Sequence, residues 1–254
     1  MSAVVDLVNL KKKGDEVVKE EVTAEEVVKP EEKPPEPKMI VLDVYGPINR
    51  ETVKQTNAAL GVTVKDSDRH RLITNFSSGG GQISAAFNVE NIIAAWPMPS
   101  VGISGSLNAS ASTLMSCQRD LRLAYSSARF MLHDAFAGMD GSPIQIKEQL
   151  RDFEEVRNVA IEAYMLHIGL TKKEIERIVS KDTYFNAMDA LNLGTKGLID
   201  GIIMKNLGQF KFEILMRNNV IKVVDLYNDD FIAIKDLTVA TVQKEETSAE
   251  EQTA

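Results

Sequence analysis

A short apolar run, Ser100-Val101-Gly102-Ile103-Ser104, leads directly into a run of small residues, Gly105-Ser106-Leu107-Asn108-Ala109-Ser110-Ala111-Ser112. The first run is typical of a buried strand, and Ser110 is placed to begin a helix. The same order occurs upstream, where a strand over 71–76 leads through Gly79-Gly80-Gly81 into a helix over 84–95. Repetition of this strand-loop-helix unit predicts an α/β fold.

The segments on either side continue this alternation. Strands are expected over 39–45, 121–126 and 129–132, and a helix follows the first of them over 50–60. Helices are also expected to begin near Thr171 and near Asn186, the second of them ending at Gly194.

A long helix has unusually clear boundaries. Ser142 and Gln145 form a Ser-x-x-Gln capping box, with Pro143 at the first helical position and Gly169 at the end. Its apolar residues form one stripe: Ile146, Leu150, Phe153, Val156, Ala160, Ala163 and Leu166. We expect a helix of this length to project from the rest of the fold.

Composition limits the classes of protein and site that fit this chain. Its 254 residues are 44% hydrophobic, which is enough for one sizeable core. A net charge of −8 argues against nucleic-acid binding, because that function needs a basic surface to displace counterions. The one cysteine, Cys117, excludes an internal disulfide framework and a multi-cysteine zinc site, and three scattered histidines lack metal-ligand spacing. We therefore expect neither a metal nor a cofactor.

The compartment is predicted from targeting signals and cysteine usage. The N-terminus lacks the apolar stretch and cleavage site of a secretory signal, and no run of about 18 apolar residues occurs. A single cysteine fits a reducing environment. We expect a soluble cytoplasmic protein without a membrane partner.

Changes in composition divide the chain into four parts. Residues 1–38 form a disordered acidic arm rich in Lys, Glu and Pro, because they offer little apolar surface to offset the entropy of folding. We interpret the arm as a solvated leader, with a removable propeptide or a partner-binding tail as alternatives. We expect residues 39–204 to form the folded domain that carries the candidate catalytic residues given next, 205–242 a C-terminal extension that is partly strand, and 243–254 a disordered tail.

Three segments offer the groups of nucleophilic catalysis in the order serine, histidine, aspartate. They are the small-residue run around Ser110, the run ending in His133, and the run Lys181-Asp182-Thr183-Tyr184-Phe185. A serine hydroxyl needs a base to accept its proton, and the base needs a carboxylate that fixes its tautomer. The upstream glycines can supply backbone N–H groups to an oxyanion. This order favours a serine peptidase.

From about residue 40 to residue 203 the chain resembles the Clp protease proteolytic subunit family, in particular its phage and prophage members. That family shows Asn-Ser-Pro-Gly-Gly, Ala-Ser-x-x-Ser, Met-Ile-His and, most specifically, Asp-x-x-Phe-x-Ala-x-Glu-Ala-x-x-x-Gly-Leu-Ile-Asp. The corresponding segments here are 77–81, 109–112, 131–133 and 182–200. The spacing of Ser110, His133 and Asp182 also agrees with the family.

The resemblance implies a Clp peptidase/crotonase-like fold in which the long helix is a projecting handle. It implies a serine endopeptidase with Ser110 as nucleophile, His133 as general base and then acid, and Asp182 as the orienting carboxylate. The implied oxyanion donors are the backbone N–H groups of Ala111 and Gly80. Gly79 is the alternative to Gly80, because the triple glycine allows the register to shift by one residue.

The resemblance also implies an assembly. Family members form heptameric rings that stack through the handle helix, and they work with a hexameric ATP-driven unfoldase. We therefore expect a homo-oligomer, as a heptameric ring or double ring, that acts on peptide or unfolded protein substrates. The acidic arm stands where the family has a short axial loop, which argues against docking of an ATP-driven unfoldase.

Several alternatives stay open at the level of sequence. A gapless register against the longer bacterial members places Asn108 at the nucleophile position and makes the chain an inactive homologue, but it breaks the Ala-Ser-x-x-Ser match. Other functions are a phage head-maturation or scaffold-processing protease, a catalytically inactive assembly subunit, and a thioester-binding hydratase of the same fold superfamily.

Overall fold

A computed structural model describes residues 38–61 and 70–227 of the chain. The predicted tail and all of the predicted arm except Lys38 lie outside these residues, so the predictions for them stay predictions. Within the described residues, no helix is both long and apolar enough to cross a lipid bilayer.

The described residues form one nine-stranded mixed sheet. Its strands are β1 Lys38–Tyr45, β2 His70–Ser78, β3 Ser100–Ala109, β4 Leu121–Tyr125, β5 Arg129–Leu132, β6 Thr183–Asn186, β7 Gly201–Gly208, β8 Lys211–Met216 and β9 Ile221–Asp225. The main order is β1-β2-β3-β4-β7-β8-β9, in which the pairs from β1 to β7 are parallel and those from β7 to β9 antiparallel. Strand β5 pairs in parallel with the end of β3, and β6 pairs antiparallel with β5.

Six helices connect these strands in the described residues. They are α1 Arg50–Gly61, α2 Ile83–Ala94, α3 Ala111–Ser116, α4 Pro143–Tyr164, α5 Lys172–Val179 and α6 Ala187–Leu191. The capping box of Ser142 with Gln145 is present at the start of α4, and Thr171 and Asn186 cap α5 and α6 in the same way. The predicted α/β class is therefore confirmed.

Three apolar clusters hold the layers together. One lies between β1, β2 and the helices α1 and α2, and includes Leu42, Leu72, Phe76, Val89 and Trp96. A second packs α4, α5 and α6 against β5 and includes Phe130, Leu132, Ile161, Ile168 and Ile175. The third lies on the other face of the sheet and includes Ile73, Val101, Leu123, Phe212 and Ile214. Strands β8 and β9, from the strand-like runs of the C-terminal extension, thus contribute apolar side chains to the cluster on this face.

Helix α4 packs along only part of its length. Near its C-terminal end Ala160 and Ile161 are buried, whereas Ile146 and Leu150 near its start are exposed. The helix ends at Tyr164, before Gly169, because the last residues form a π-helical turn over Met165–Gly169. The predicted apolar stripe therefore faces solvent near the start of the helix. At the other end the stripe was wrong in part: Ala160 lies in the core, but Leu166 is exposed, and Ile161 from outside the stripe is buried instead.

Several strands and one helix differ from the sequence predictions in their bounds or were not predicted. Strand β2 continues through Ser78, which pairs with Asn108 of β3 after an irregularity between Phe76 and Ser78. Strand β3 accordingly runs to Ala109, five residues beyond its predicted end. Strand β6 was not predicted, because its four residues form a strand by pairing with β5. Helix α6 ends at Leu191, before the predicted Gly194.

A buried ion pair joins the sheet to the helical layer. Arg122 of β4 donates from Nε to Asp200 Oδ2 at 2.9 Å and from Nη2 to Asp200 Oδ1 at 2.5 Å. Its terminal nitrogens also donate to the carbonyl oxygens of His167, Lys196 and Gly197. Burial disfavours the charged guanidinium, but the Asp200 carboxylate outweighs burial and raises the pKa of Arg122. Arg122 therefore remains charged and fixes the π-helical turn beside β4.

Candidate active site

Ser110 occupies the sharp turn between β3 and α3. Its backbone has φ 55° and ψ −126°, a conformation that costs of order 1–3 kcal/mol for a residue with a side chain. The turn is held by three hydrogen bonds: Ser110 N–H donates to Met131 O at 2.9 Å, and Ser110 O accepts from Leu114 N–H at 3.2 Å and from Tyr164 Oη–H at 3.4 Å. The surrounding structure thus imposes a strained position on this serine.

His133 lies within hydrogen-bonding distance of Ser110. It follows β5, and the parallel pairing of Ala109 with Met131 brings the ends of β3 and β5 to the same edge of the sheet. His133 Nε2 is 2.7 Å from Ser110 Oγ. This pairing places a base next to the serine hydroxyl.

Asp182 lies on the opposite side of the His133 ring. It directly precedes β6, and the antiparallel pairing of Thr183 with Leu132 brings Asp182 beside His133. His133 Nδ1 and Asp182 Oδ1 are 3.6 Å apart, and the Asp182 side chain is 62% exposed. The structure therefore brings all three predicted residues together, with the His133–Asp182 contact longer than a normal hydrogen bond.

The glycine loop packs directly against the serine. A Cβ on Gly80 would lie 2.6 Å from Ser110 Cβ and 3.1 Å from the nitrogen of Ala111, and Gly80 has φ +96°. The loop is anchored on Ile48, whose N–H donates to Gly80 O at 2.9 Å and whose carbonyl accepts from Gln82 N–H at 2.8 Å. Only glycine fits at residue 80, and the loop carrying it is fixed beside Ser110.

The N–H of Gly80 already has a partner. It donates to the Oγ of Ser78 at 3.0 Å, and the hydroxyl of Ser78 donates in turn to the carbonyl of Gly46. The predicted second oxyanion donor is therefore engaged in this conformation. No sequence signal for this contact was recognised, although Ser78 stands only two residues before Gly80.

A cavity of about 730 Å³ is lined by Ser110, His133 and the glycine loop 79–81. Much of its wall is apolar, with Leu114, Met131, Ile161, Tyr164 and Val179 among the lining residues. Phe136 lies at the cavity, is 84% exposed, and has its ring 5.8 Å from that of His133. The cavity can therefore accommodate a ligand side chain next to the hydroxyl of Ser110.

An ion pair on the cavity wall was also missed from sequence. Arg157 of α4 donates from Nε to Asp134 Oδ1 at 2.6 Å, and this hydrogen bond raises the pKa of Arg157. Asp134 follows His133, and its N–H donates to Val179 O at 2.9 Å. The segment after His133 is thereby tied to both α4 and α5.

The alternative nucleophile position is occupied by a buried side chain. Asn108 is fully buried, and its amide donates to Ser104 Oγ at 3.0 Å and to Ser116 Oγ at 2.6 Å. None of the hydrogen bonds of Asn108 within the described residues goes to His133. Asn108 therefore stabilises the turn from within the core, whereas Ser110 lines the cavity.

Together these groups can perform nucleophilic chemistry on a carbonyl. A hydroxyl stands next to an imidazole, the imidazole faces a carboxylate, and glycine backbone lines the same cavity. Across residues 38–61 and 70–227, no three His, Cys, Asp or Glu side chains come together as a metal site. The other two histidines lie elsewhere: His70 begins β2, and His167 is half-buried in the π-helical turn.

Comparison with known proteins gives one family. The Clp protease family model matches residues 37–206. Similar proteins include the ATP-dependent Clp protease proteolytic subunit 2 of Thermobifida fusca (strain YX), 30% identical over 132 residues, which cover 50% of this chain and 64% of that protein.

Two further relatives carry the same kind of name. The chloroplastic ATP-dependent Clp protease proteolytic subunit 6 of Arabidopsis thaliana is 22% identical over 166 residues, 64% of this chain and 60% of that protein. The proteolytic subunit 2 of Treponema pallidum (strain Nichols) is 23% identical over 130 residues, 50% of this chain and 64% of that protein. The matched region thus spans between 60% and 64% of each of these relatives.

Proposed function

Because this chain belongs to the Clp protease family, we propose that it is a serine endopeptidase that cleaves peptide bonds with Ser110, His133 and Asp182. The observation that carries the proposal is the 2.7 Å separation of His133 Nε2 from Ser110 Oγ at a largely apolar cavity. The strained backbone of Ser110 adds support, because such strain concentrates at functional sites.

The proposed reaction uses these residues in the following order. Ser110 Oγ attacks the carbonyl carbon of the scissile peptide while its proton passes to His133 Nε2. The protonated His133 then donates that proton to the leaving amine as the C–N bond breaks, which leaves an acyl group on Ser110. Water next attacks the acyl carbon and gives a proton to His133. Release of the carboxylic acid returns this proton to Ser110 Oγ.

The Asp182 carboxylate and two backbone N–H groups complete the proposed catalytic site. Asp182 faces Nδ1 of His133, where a carboxylate fixes the tautomer and stabilises the imidazolium that forms during attack. The N–H groups of Ala111 and Gly80 are the proposed donors to the oxyanion. Loss of one such donor typically lowers kcat by about 10²–10³.

We further propose that the protein works as a cytoplasmic homo-oligomeric ring, heptameric or a stacked pair of heptamers, that encloses the active sites. The exposed apolar residues at the start of α4, Ile144, Ile146 and Leu150, support an assembly in which this surface is covered. Peptides or unfolded proteins are the proposed substrates. The relatives are named as parts of ATP-dependent proteases, so an ATP-driven partner is a further candidate.

A fluorophosphonate probe tests the proposal, because it labels only an activated serine. We expect labelling and cleavage of a fluorogenic peptide by the wild-type protein, and loss of both in Ser110→Ala and His133→Ala. Ser126→Ala, at an exposed serine in the turn between β4 and β5, is the matched control and keeps both activities. A folded wild-type protein without labelling would instead support an inactive assembly subunit.

A further inference from the structure

The backbone donor proposed for Gly80 is held by a serine on the strand before it. Gly80 N–H donates to Ser78 Oγ at 3.0 Å, and the Ser78 hydroxyl donates to the carbonyl of Gly46. Ser78 is itself buried. A hydroxyl that is anchored in this way fixes the direction of the Gly80 N–H, which consequently has no free hydrogen for an oxyanion.

The peptide between Gly79 and Gly80 is the part of this loop that can turn. The next peptide is fixed, because Gly80 O accepts the hydrogen bond from Ile48 N–H at 2.9 Å. Gly79 is exposed, and its carbonyl accepts no hydrogen bond from the described residues. Rotation of the 79–80 peptide therefore breaks only one described hydrogen bond, the one from Gly80 to Ser78.

Glycine on both sides of this peptide removes the steric barrier to rotation. Turning the peptide by about 180° changes ψ of Gly79 and φ of Gly80, and glycine tolerates both signs of φ. Gly80 is at φ +96° now, and rotation takes it to an ordinary negative φ. Both glycines line the cavity, so the rotated N–H leaves the buried Ser78 and becomes available on the cavity side.

We propose that Ser78 is a positioning residue that holds the Gly80 N–H away from the cavity, and that the 79–80 peptide rotates to complete the oxyanion hole when substrate binds. This inference rests on the proposed peptidase function. In the resting protein Ala111 then supplies the available donor, and Gly80 joins it as charge develops on the substrate oxygen. The hydrogen bond to Ser78 is part of the cost of reaching the transition state.

Removal of the Ser78 hydroxyl tests this directly. One neutral hydrogen bond is worth a factor of roughly two to ten in an equilibrium, so Ser78→Ala is expected to raise kcat by that factor. KM for the peptide stays unchanged, because the ground state does not use the Gly80 donor. Affinity for a peptide boronic acid, whose tetrahedral adduct carries the oxyanion, rises by the same factor as kcat.

Two variants serve as controls for this measurement. Ser78→Thr keeps a hydroxyl at the same place and is expected to retain the wild-type kcat. Ser77→Ala removes the neighbouring hydroxyl, which lies 3.0 Å from Ser106 Oγ and is paired there instead of with the N–H of Gly80. It is also expected to leave kcat and the boronic acid affinity unchanged.

The outcomes separate this inference from the proposed function. Failure of the wild-type protein to react with a fluorophosphonate refutes the peptidase itself. Labelling of Ser110 together with an unchanged or lowered kcat in folded Ser78→Ala refutes the role of Ser78 alone. If Ser78→Ala does not fold, Ser78→Cys replaces it, because a thiol fills the site but is a weak hydrogen-bonding group. A kcat above that of the wild type is then expected, and an equal or lower value refutes the inference.

Discussion

His133 Nδ1 and Asp182 Oδ1 lie 3.6 Å apart, whereas the other ring nitrogen of His133 is 2.7 Å from Ser110. The imidazole is therefore within hydrogen-bonding distance of Ser110 on one side, whereas its contact with Asp182 on the other side is longer than a hydrogen bond. The exposed Asp182 carboxylate is also stabilised by water, which reduces what it gains from the histidine.

Because the contact of His133 with Asp182 is the longer one, we expect Asp182→Asn to lower kcat less than Ser110→Ala or His133→Ala does. Loss of Ser110 or His133 should lower kcat by about 10⁶, and loss of Asp182 by about 10⁴ or less. Steady-state cleavage of a fluorogenic peptide measures all three. Asp189→Asn, at an exposed carboxylate that caps α6, should leave kcat near the wild-type value. Equal losses for Asp182→Asn and His133→Ala would contradict the weak contact.

Gly80→Ala should abolish cleavage and weaken the fold. The added methyl group would stand 2.6 Å from Ser110 Cβ, and an alanine at φ +96° costs of order 1–3 kcal/mol. We expect kcat to fall at least about a hundredfold, together with a lower melting temperature. Gly79→Ala is the control for stability, because its Cβ would meet nothing within 4 Å. A Gly80→Ala protein as stable as Gly79→Ala would show that the loop is not packed as described.

Asp200→Ala should be strongly destabilising. It removes the carboxylate beside the buried guanidinium of Arg122, and such a charge without its partner costs about 3–5 kcal/mol. Chemical denaturation compares the free energy of unfolding with that of the wild type. Asp152→Ala, which removes the exposed pair with Arg151, should cost no more than about 1 kcal/mol. Similar losses in the two variants would contradict the buried pair.

Cys117 should resist thiol reagents in the folded protein. Burial raises the pKa of its thiol to about 12, so at pH 8 a fraction of only about 10⁻⁴ is the reactive thiolate. Modification is expected only after denaturant is added, and mass spectrometry detects it. The raised pKa also predicts that the free energy of unfolding falls as pH increases toward 12, because only the unfolded chain releases this proton there. Rapid labelling of the native protein at pH 8 would refute the burial of Cys117.

Much of the fold could be predicted because its signals are local. The capping box of Ser142 with Gln145 fixes the start of α4 within four residues of sequence, and short apolar runs identify the buried strands. Strand β6 could not be predicted in this way. Its residues become a strand only through pairing with β5, which lies about fifty residues earlier in the chain.

The candidate site could also be predicted only in part. The order of Ser110, His133 and Asp182 was recognised from residue types and spacing, and the structure places the three side chains together. The direction of the Gly80 N–H depends on a backbone rotation that leaves no trace in the sequence. The contact of Asp134 with Arg157 depends on how α4 packs against the segment after His133.

The hairpin of β8 and β9 sets a condition on how this protein can fold during translation. Ile73 and Val101 belong to strands made early, yet the cluster around them is completed by Phe212 and Ile214 near the other end of the described chain. Until the ribosome has released that hairpin, this cluster is incomplete, and its apolar side chains can bind chaperones or other unfinished chains.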